Sequence, residues 1–225
     1  MADFFDHLWQ QMHEPRSARD RMQYLGRLRS FIAEGSPTRI LPRPAPASVN
    51  QVKMFQEPKL FDESGVWAFD RRHQLDFEPQ WIRAAKEKDS HSFFVRLDPL
   101  RDEAEVLETR AMGADAYTID VGALDTATVQ FLIEVGVDFA FPALLICRHE
   151  EELARTLTIH KQAHILLVGD LAVPELLELE LLSGRHVWFD ARGTQVSARD
   201  VLPAPHTSLH FIYDALSFYD KGNDP

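Results

Sequence analysis

Short apolar runs alternate with amphipathic stretches along most of this chain, and the pattern is clearest between residues 93 and 120. Phe93, Phe94 and Val95 form an apolar, β-rich run that predicts a buried strand. Asp98 and Pro99 end it. Asp102 is placed to cap a helix, with Glu103 and Glu105 in the first turn, where the helix dipole favours anions. Ala104, Leu107, Ala111 and Met112 recur at three- and four-residue spacing and make one apolar face. Gly113 fits a left-handed cap after that helix, and residues 116–119 predict the next strand. A strand–helix–strand unit of this length builds a parallel sheet.

The same reading extends in both directions. Residues 3–35 predict one or two helices. One has an apolar face of Phe4, Phe5, Leu8 and Met12, the other of Met22, Leu25, Leu28, Phe31 and Ile32. Pro15 and Ser17 break the pair, and Gly35 and Pro37 stop the second. Residues 39–41 predict the first strand, which Pro42 must end because proline cannot donate to a ladder. Residues 49–61 read as a short helix interrupted by Pro58. Strands are then predicted at 66–69, 139–147, 165–168, 187–189 and 211–213. Helices are predicted at 77–86, at 126–135 with Gly136 as cap, at 150–160, at 174–182 with proline in the first turn, and at 197–201. Ala215 and Leu216 open a last one. Eight strand–helix repeats mean a parallel sheet, either an open doubly wound one or a closed barrel.

Composition narrows the function classes. The chain has 225 residues, 45% of them hydrophobic, enough for a sizeable core. A net charge of −11 opposes binding to nucleic acid. No apolar run reaches the roughly 18–20 residues of a membrane span, and no membrane association is expected. The first residues carry neither a basic region nor an apolar core, so no signal peptide is expected, and a cytoplasmic location is the default. Cys147, the single cysteine, excludes an internal disulfide and a multi-cysteine zinc site, and reads as a buried core thiol. The histidines are scattered, with no H-E-x-x-H motif. No metal and no cofactor are expected.

The central unit also carries a resemblance. Arg96-Leu97-Asp98, then Asp102, Val106, Glu108, Arg110-Ala111 and Gly113-Ala114-Asp115-Ala116, resembles indole-3-glycerol phosphate synthase around its third strand and helix. The pattern there is R-K-D-F-x-x-D-x-x-Q-V-x-E-A-R-x-x-G-A-D-A, and the match from Arg96 to Ala116 has no gap. Further on, ALLICRHEEEL is similar to A-L-V-E-V-H-D-E-E-E-L, with Glu150 to Leu153 in register. The resemblance implies a (β/α)8 TIM barrel over residues 37–225 with an N-terminal helical extension over residues 1–36.

In that family the active site lies at the C-terminal ends of the strands. Ring closure there loses carbon dioxide and water, and calls for a lysine acid, carboxylates and a phosphate cradle of backbone amides. Carried over residue by residue, the third-strand lysine is Leu97 and the fifth-strand glutamate is Ile146, with Arg148 in place of histidine. On the first strand the glutamate and lysine become Ile40 and Pro42, while Arg43 matches. The sixth-strand segment ILLVGDL lacks the family's asparagine and arginine. On the seventh, Asp190 matches the acid, Ala191 replaces serine and Arg192 replaces glycine. On the eighth, Asp214 matches the acid, but Tyr213 replaces a glycine whose amide approaches phosphate.

With Pro42, Leu97 and Ile146 at catalytic positions, the resemblance implies a tryptophan-biosynthesis-type barrel with degenerate chemistry, a pseudoenzyme that binds or regulates. Each lost acid/base group removes a factor of about 10²–10⁴ in rate. The alternatives are a working synthase, or a barrel of altered lyase or isomerase chemistry built on strand-end aspartates and arginines. Candidate ligand-binding residues are Arg43, Arg96, Asp98, Asp120, Arg148, Asp170, Asp190, Arg192, Tyr213 and Asp214. Arginines suit a small phosphorylated or carboxylated ligand, and another pathway protein is the other partner class. An aspartate following a strand is also a common loop and capping residue.

Overall fold

The apolar runs are strands, and all of them run parallel. The computed structural model describes residues 18–35, 49–55, 64–71, 77–160, 164–168, 186–190, 192 and 208–212. The strands are β1 (Val49–Met54), β2 (Val66–Phe69), β3 (Phe93–Arg96), β4 (Ala116–Asp120), β5 (Ala143–Cys147), β6 (His164–Val168), β7 (His186–Asp190) and β8 (Ser208–Ile212). Each pairs with the next in sequence, and β8 returns to β1 from Val49↔Leu209 to Val52↔Ile212, closing the barrel. The described helices are α1 (Ala18–Glu34) before the barrel, then α2 (Gln80–Lys88), α3 (Glu103–Ala111), α4 (Thr126–Asp138) and α5 (Glu150–Ile159) after strands two to five. The fold is a (β/α)8 TIM barrel.

The two faces of each strand go to two separate apolar layers. Val52, Val66, Ala68, Phe93, Val95, Ala116, Leu144, Leu166, Trp188 and Ile212 fill the barrel's interior. Their outward neighbours Trp67, Phe69, Phe94, Tyr117, Ile119 and Leu145 pack under the helices. This is why the strands read as continuous apolar runs and not as alternating ones.

The central unit forms as its residues dictate. Asp102 caps α3 by accepting from the Glu105 amide at 3.0 Å. Gly113 follows the helix at φ 99°, a conformation that side chains disfavour. Beyond the predicted apolar face, Val106, Glu108, Thr109 and Arg110 are also buried. Part of the cause is α1, which lies against α3, and part is Arg96 of β3, which reaches Thr109. On α1, Tyr24, Leu25, Leu28 and Ile32 are buried. The Tyr24 hydroxyl donates to Glu108 Oε1 at 2.6 Å, Arg29 pairs with Glu103, and Arg21 lies 3.4 Å from Asp102. Met22, expected on the buried face, is 72% exposed, and Tyr24 takes that place.

The fifth strand begins at Ala143 and not at Phe139, which follows the preceding helix, and two further expectations are overturned. The first strand is Val49–Met54, in the stretch read as a helix, so the strand end is Met54 and not Pro42. Residues 39–43 lie outside the described residues. Val49, Val52 and Phe55 fit helical spacing, but Val52 and Met54 also alternate, and pairing on both sides favours the strand. Second, Gly136 does not cap a helix, because α4 continues to Asp138. A methyl at Gly136 would collide with the Tyr117 hydroxyl and the Phe141 carbonyl. The glycine is there for close approach, and Tyr117 passes it to donate to the Leu132 carbonyl at 2.7 Å. The predicted helical face of Phe4, Phe5, Leu8 and Met12, the helices at 174–182 and 197–201, and the one beginning at Ala215 lie outside the described residues.

Candidate ligand site at the barrel mouth

Strand alternation decides which strand-end residues reach the mouth. On β3, Phe93 and Val95 point inward, and so does Leu97, which extends the strand through its amide to the Phe69 carbonyl at 2.8 Å. On β5, Leu144 and Ile146 point inward. Leu97 and Ile146 therefore meet in one cluster, only 5% and 4% exposed, with Met54 of β1 and Val168 of β6 packed against it. The Thr118 hydroxyl donates to the Leu97 carbonyl at 2.9 Å and fixes that turn of chain. At the Leu97 and Ile146 positions, where the family resemblance expects a lysine and a glutamate, the mouth is hydrocarbon.

Charged groups stand at the rim in pairs. Arg148, after β5, donates from Nη1 and Nη2 to the two oxygens of Asp120 at the end of β4, both at 2.8 Å. Those hydrogen bonds hold the Asp120 carboxyl below its ordinary range, even though partial burial pulls the other way. They also raise the Arg148 guanidinium. Arg192 donates from Nε to Asp190 Oδ1 at 2.8 Å and from Nη2 to Oδ2 at 2.7 Å. Two-point pairs of this kind are strong and set both partners' orientation. Asp70, after β2, is buried. Among the described residues, no three histidine, cysteine, aspartate or glutamate side chains gather to hold a metal ion.

Arg96 and Asp98 lie elsewhere. They alternate with Leu97 and sit on the outer face of β3, where Arg96 donates to both Asp98 oxygens and, at 2.8 Å, to Thr109 of α3. Asp98 also accepts from the Arg71 amide at 3.0 Å. Burial alone would raise the Asp98 carboxyl, but Arg96 and Arg71 together outweigh it and the carboxyl lies below its usual value. Asp115, from the same resembling stretch, accepts from Lys86 Nζ and from the Phe94 amide and ties α2 to β3. These groups hold strands to helices.

So the structure brings Leu97, Ile146, Asp120, Arg148, Asp190 and Arg192 to one end of the barrel and puts Arg96 and Asp98 on its flank. Pro42, Arg43, Asp170, Tyr213 and Asp214 lie outside the described residues. Sequence reasoning missed Met54, because the first strand was misplaced; the alternation of Val52 and Met54 was the available signal. Cys147 points outward at the end of β5, next to the Thr156 hydroxyl at 3.3 Å, and burial pushes its thiol up to about 11. It is no ready nucleophile. His160 and His164 are four residues apart, but one follows α5 and the other opens β6, so they share no helix face.

No protein-family profile matches the chain. Indole-3-glycerol phosphate synthase of Roseiflexus sp. (strain RS-1) is 40% identical over 63 residues, 28% of this chain and 23% of that protein. The enzyme of the same name from Roseiflexus castenholzii (strain DSM 13941 / HLO8) is 35% identical over 65 residues, 29% of this chain and 24% of that protein. The matched stretch thus spans about a quarter of each relative's length. Together with the barrel, these matches support a distant link to the indole-3-glycerol phosphate synthases.

Proposed function

We propose that this protein is a synthase-like barrel that has lost ring closure and acts by binding, as a regulatory or ligand-holding protein of the tryptophan-biosynthesis type. The observation that carries this reading is the burial of Leu97 and Ile146 in one apolar cluster at the mouth. Hydrocarbon at both positions leaves no group there to give or take a proton, and each such loss costs about 10²–10⁴ in rate. Nearby charges do not substitute. Asp120 is held ionised by Arg148 and is a poor acid near neutrality. Lys53 of β1 lies over the ring of Trp67, an outer-layer residue, at 5.4 Å, and so faces away from the interior.

The partner is a small phosphorylated or carboxylated molecule at the arginine-bearing mouth, or another protein of the pathway. The competing reading, an altered lyase or isomerase using the aspartate–arginine rim, is disfavoured by the bidentate pairing of Asp120 and Asp190. A steady-state assay with the purified full chain and the synthase's phosphorylated substrate tests the proposal. No indole-3-glycerol phosphate above background is expected. Turnover of about 1 s⁻¹ or faster, ordinary for an enzyme, overturns it.

A further inference from the structure

The base of the barrel, at the N-terminal ends of its strands, gathers histidines. His164 opens β6, His186 opens β7, and His210 stands midway along β8. Leu166 and Val168 belong to the inner layer, so alternation puts His164 on the same face. Trp188 is in the inner cluster too. His210, its register partner on β8, stacks on it with ring centroids 4.5 Å apart and planes at 17°. The register places His186 two residues before Trp188, opposite Ser208 of β8. It also stands beside His164, one residue before the Ile165↔Val187 pair. Strand tilt offsets alternate strands of such a barrel by about two residues. Leu166 is in register with His210 through Trp188, so the tilt brings His164 level with His210. By the same offset Val66 and Ala116, both buried, complete this layer.

We propose that His164, His186 and His210 form a three-histidine site for a divalent transition metal of the zinc class, at the base of the barrel and away from the mouth. The strand placement carries this first. Neighbouring strands lie about 4.8 Å apart, and the three histidines come from three consecutive strands on the concave face of a closed sheet. Residues so placed converge on one point near the barrel axis. The donor chemistry agrees. Neutral imidazole suits zinc, copper or nickel, whereas magnesium and calcium take oxygen ligands. The inward aspartates Asp120 and Asp190 stand at the other end, on the last residues of their strands. The stack on Trp188 fixes the plane of the His210 ring through its faces. Ligation uses the in-plane nitrogens, so the two are compatible. Trp188 adds an independent sign. Its side chain is fully buried, and its Nε1–H has no hydrogen-bond partner among the described residues. Three protein ligands leave a fourth metal position to water, and a metal-held water beside the indole supplies the acceptor that a buried donor needs. His164 is half-buried while Trp188 and His210 are sealed, so an ion enters on the β6 side. The site has no sequence motif, because each histidine comes from a different strand.

The inference does not depend on the loss of ring closure, and its test uses no turnover. The full chain, stripped of metal by a chelator and dialysed, is titrated with zinc chloride by calorimetry. One ion per chain is expected, with a dissociation constant of about 10 μM or tighter. His164→Ala, His186→Ala and His210→Ala are each expected to weaken binding about 100-fold or more, since losing a mere supporting partner of a metal ligand already costs about 10–100-fold. His149→Ala, at an exposed histidine before α5, is expected to bind as wild type does. Zinc is also expected to raise the melting temperature of wild type and of His149→Ala, and of none of the other three. The proposal is overturned if wild type binds zinc more weakly than about 10 μM. It is overturned too if any of the three variants at the base binds zinc as tightly as wild type, which would place the ion elsewhere on the surface. Where an alanine variant does not melt cooperatively, His164→Gln, His186→Gln or His210→Gln is read by the same criteria.

Discussion

Leu97 and its neighbours show how one short stretch divides between scaffold and chemistry. Asp98 holds Arg96, Asp102 caps α3, Glu108 receives Tyr24, Gly113 turns the chain and Asp115 ties α2 to β3. All five match the family pattern, and all five have structural partners or a conformational reason. Leu97, where the family pattern has lysine, departs from it and is buried in hydrocarbon. Identity in this segment therefore reports the fold more than the reaction. Two predictions belong here. Gly136→Ala puts a methyl into the space of the Tyr117 hydroxyl and Phe141 carbonyl. Urea unfolding is expected to show a loss of about 1–3 kcal/mol, as for other overpacked sites. The second concerns Asp98, whose folded carboxyl lies below its ordinary value. A depressed carboxyl gives stability that is present above its unfolded pKa of about 3.9 and is lost as pH falls through the folded value. Asp98→Asn is therefore expected to cost about 3 kcal/mol at neutral pH, since it strips a buried arginine of its partner. Denaturation curves of wild type and variant are expected to converge as pH drops below about 4.

Among the elements, legibility followed the strength of periodicity and punctuation. β2 to β4, the end of β5 and the helices after them were readable because each begins or ends on a marked residue, such as Asp98, Asp102, Gly113 or the Glu150–Glu152 run. β1 was not. Its six residues fit two periods, and only pairing with β2 and β8 selects one. Gly136 was misread for a related reason, since a glycine near a helix end suggests a cap, while the neighbour that requires it, Tyr117, lies on another element. α1 was legible as a helix, but its seat was not. The exposed Met22 and the buried Tyr24 follow from a polar contact with Glu108 that no hydrophobic pattern encodes. Tyr24→Phe keeps the ring and removes that contact. It is expected to destabilise the protein by about 1–2 kcal/mol and to speed amide exchange in α1 more than in β3 or β4. Equal exchange changes in all three would contradict the special role of this hydrogen bond in docking α1.

At the scale of the whole molecule, repeated strand–helix alternation announced a parallel sheet, and the resemblance selected closure, which the β8–β1 pairing supplies. The apolar character of the mouth was legible residue by residue at Leu97 and Ile146. Their convergence was not, because they come from strands separated by β4 and meet only in the closed barrel. Nor was the pairing of the rim. Aspartates and arginines could be counted along the chain, but which arginine takes which aspartate depends on strand register, as in Asp120 opposite Ile146 with Arg148 two residues beyond. No described helix is long and apolar enough to cross a membrane. The central claim is that the barrel is kept while the ring-closing groups are gone. It is tested most directly by a single-turnover experiment, with protein in excess over the synthase's phosphorylated substrate and product followed over hours. The account predicts a rate indistinguishable from buffer, unchanged in Asp120→Asn and Asp190→Asn. Product formation well above buffer that falls in either variant would contradict it, by showing that the rim carboxylates carry out the chemistry after all.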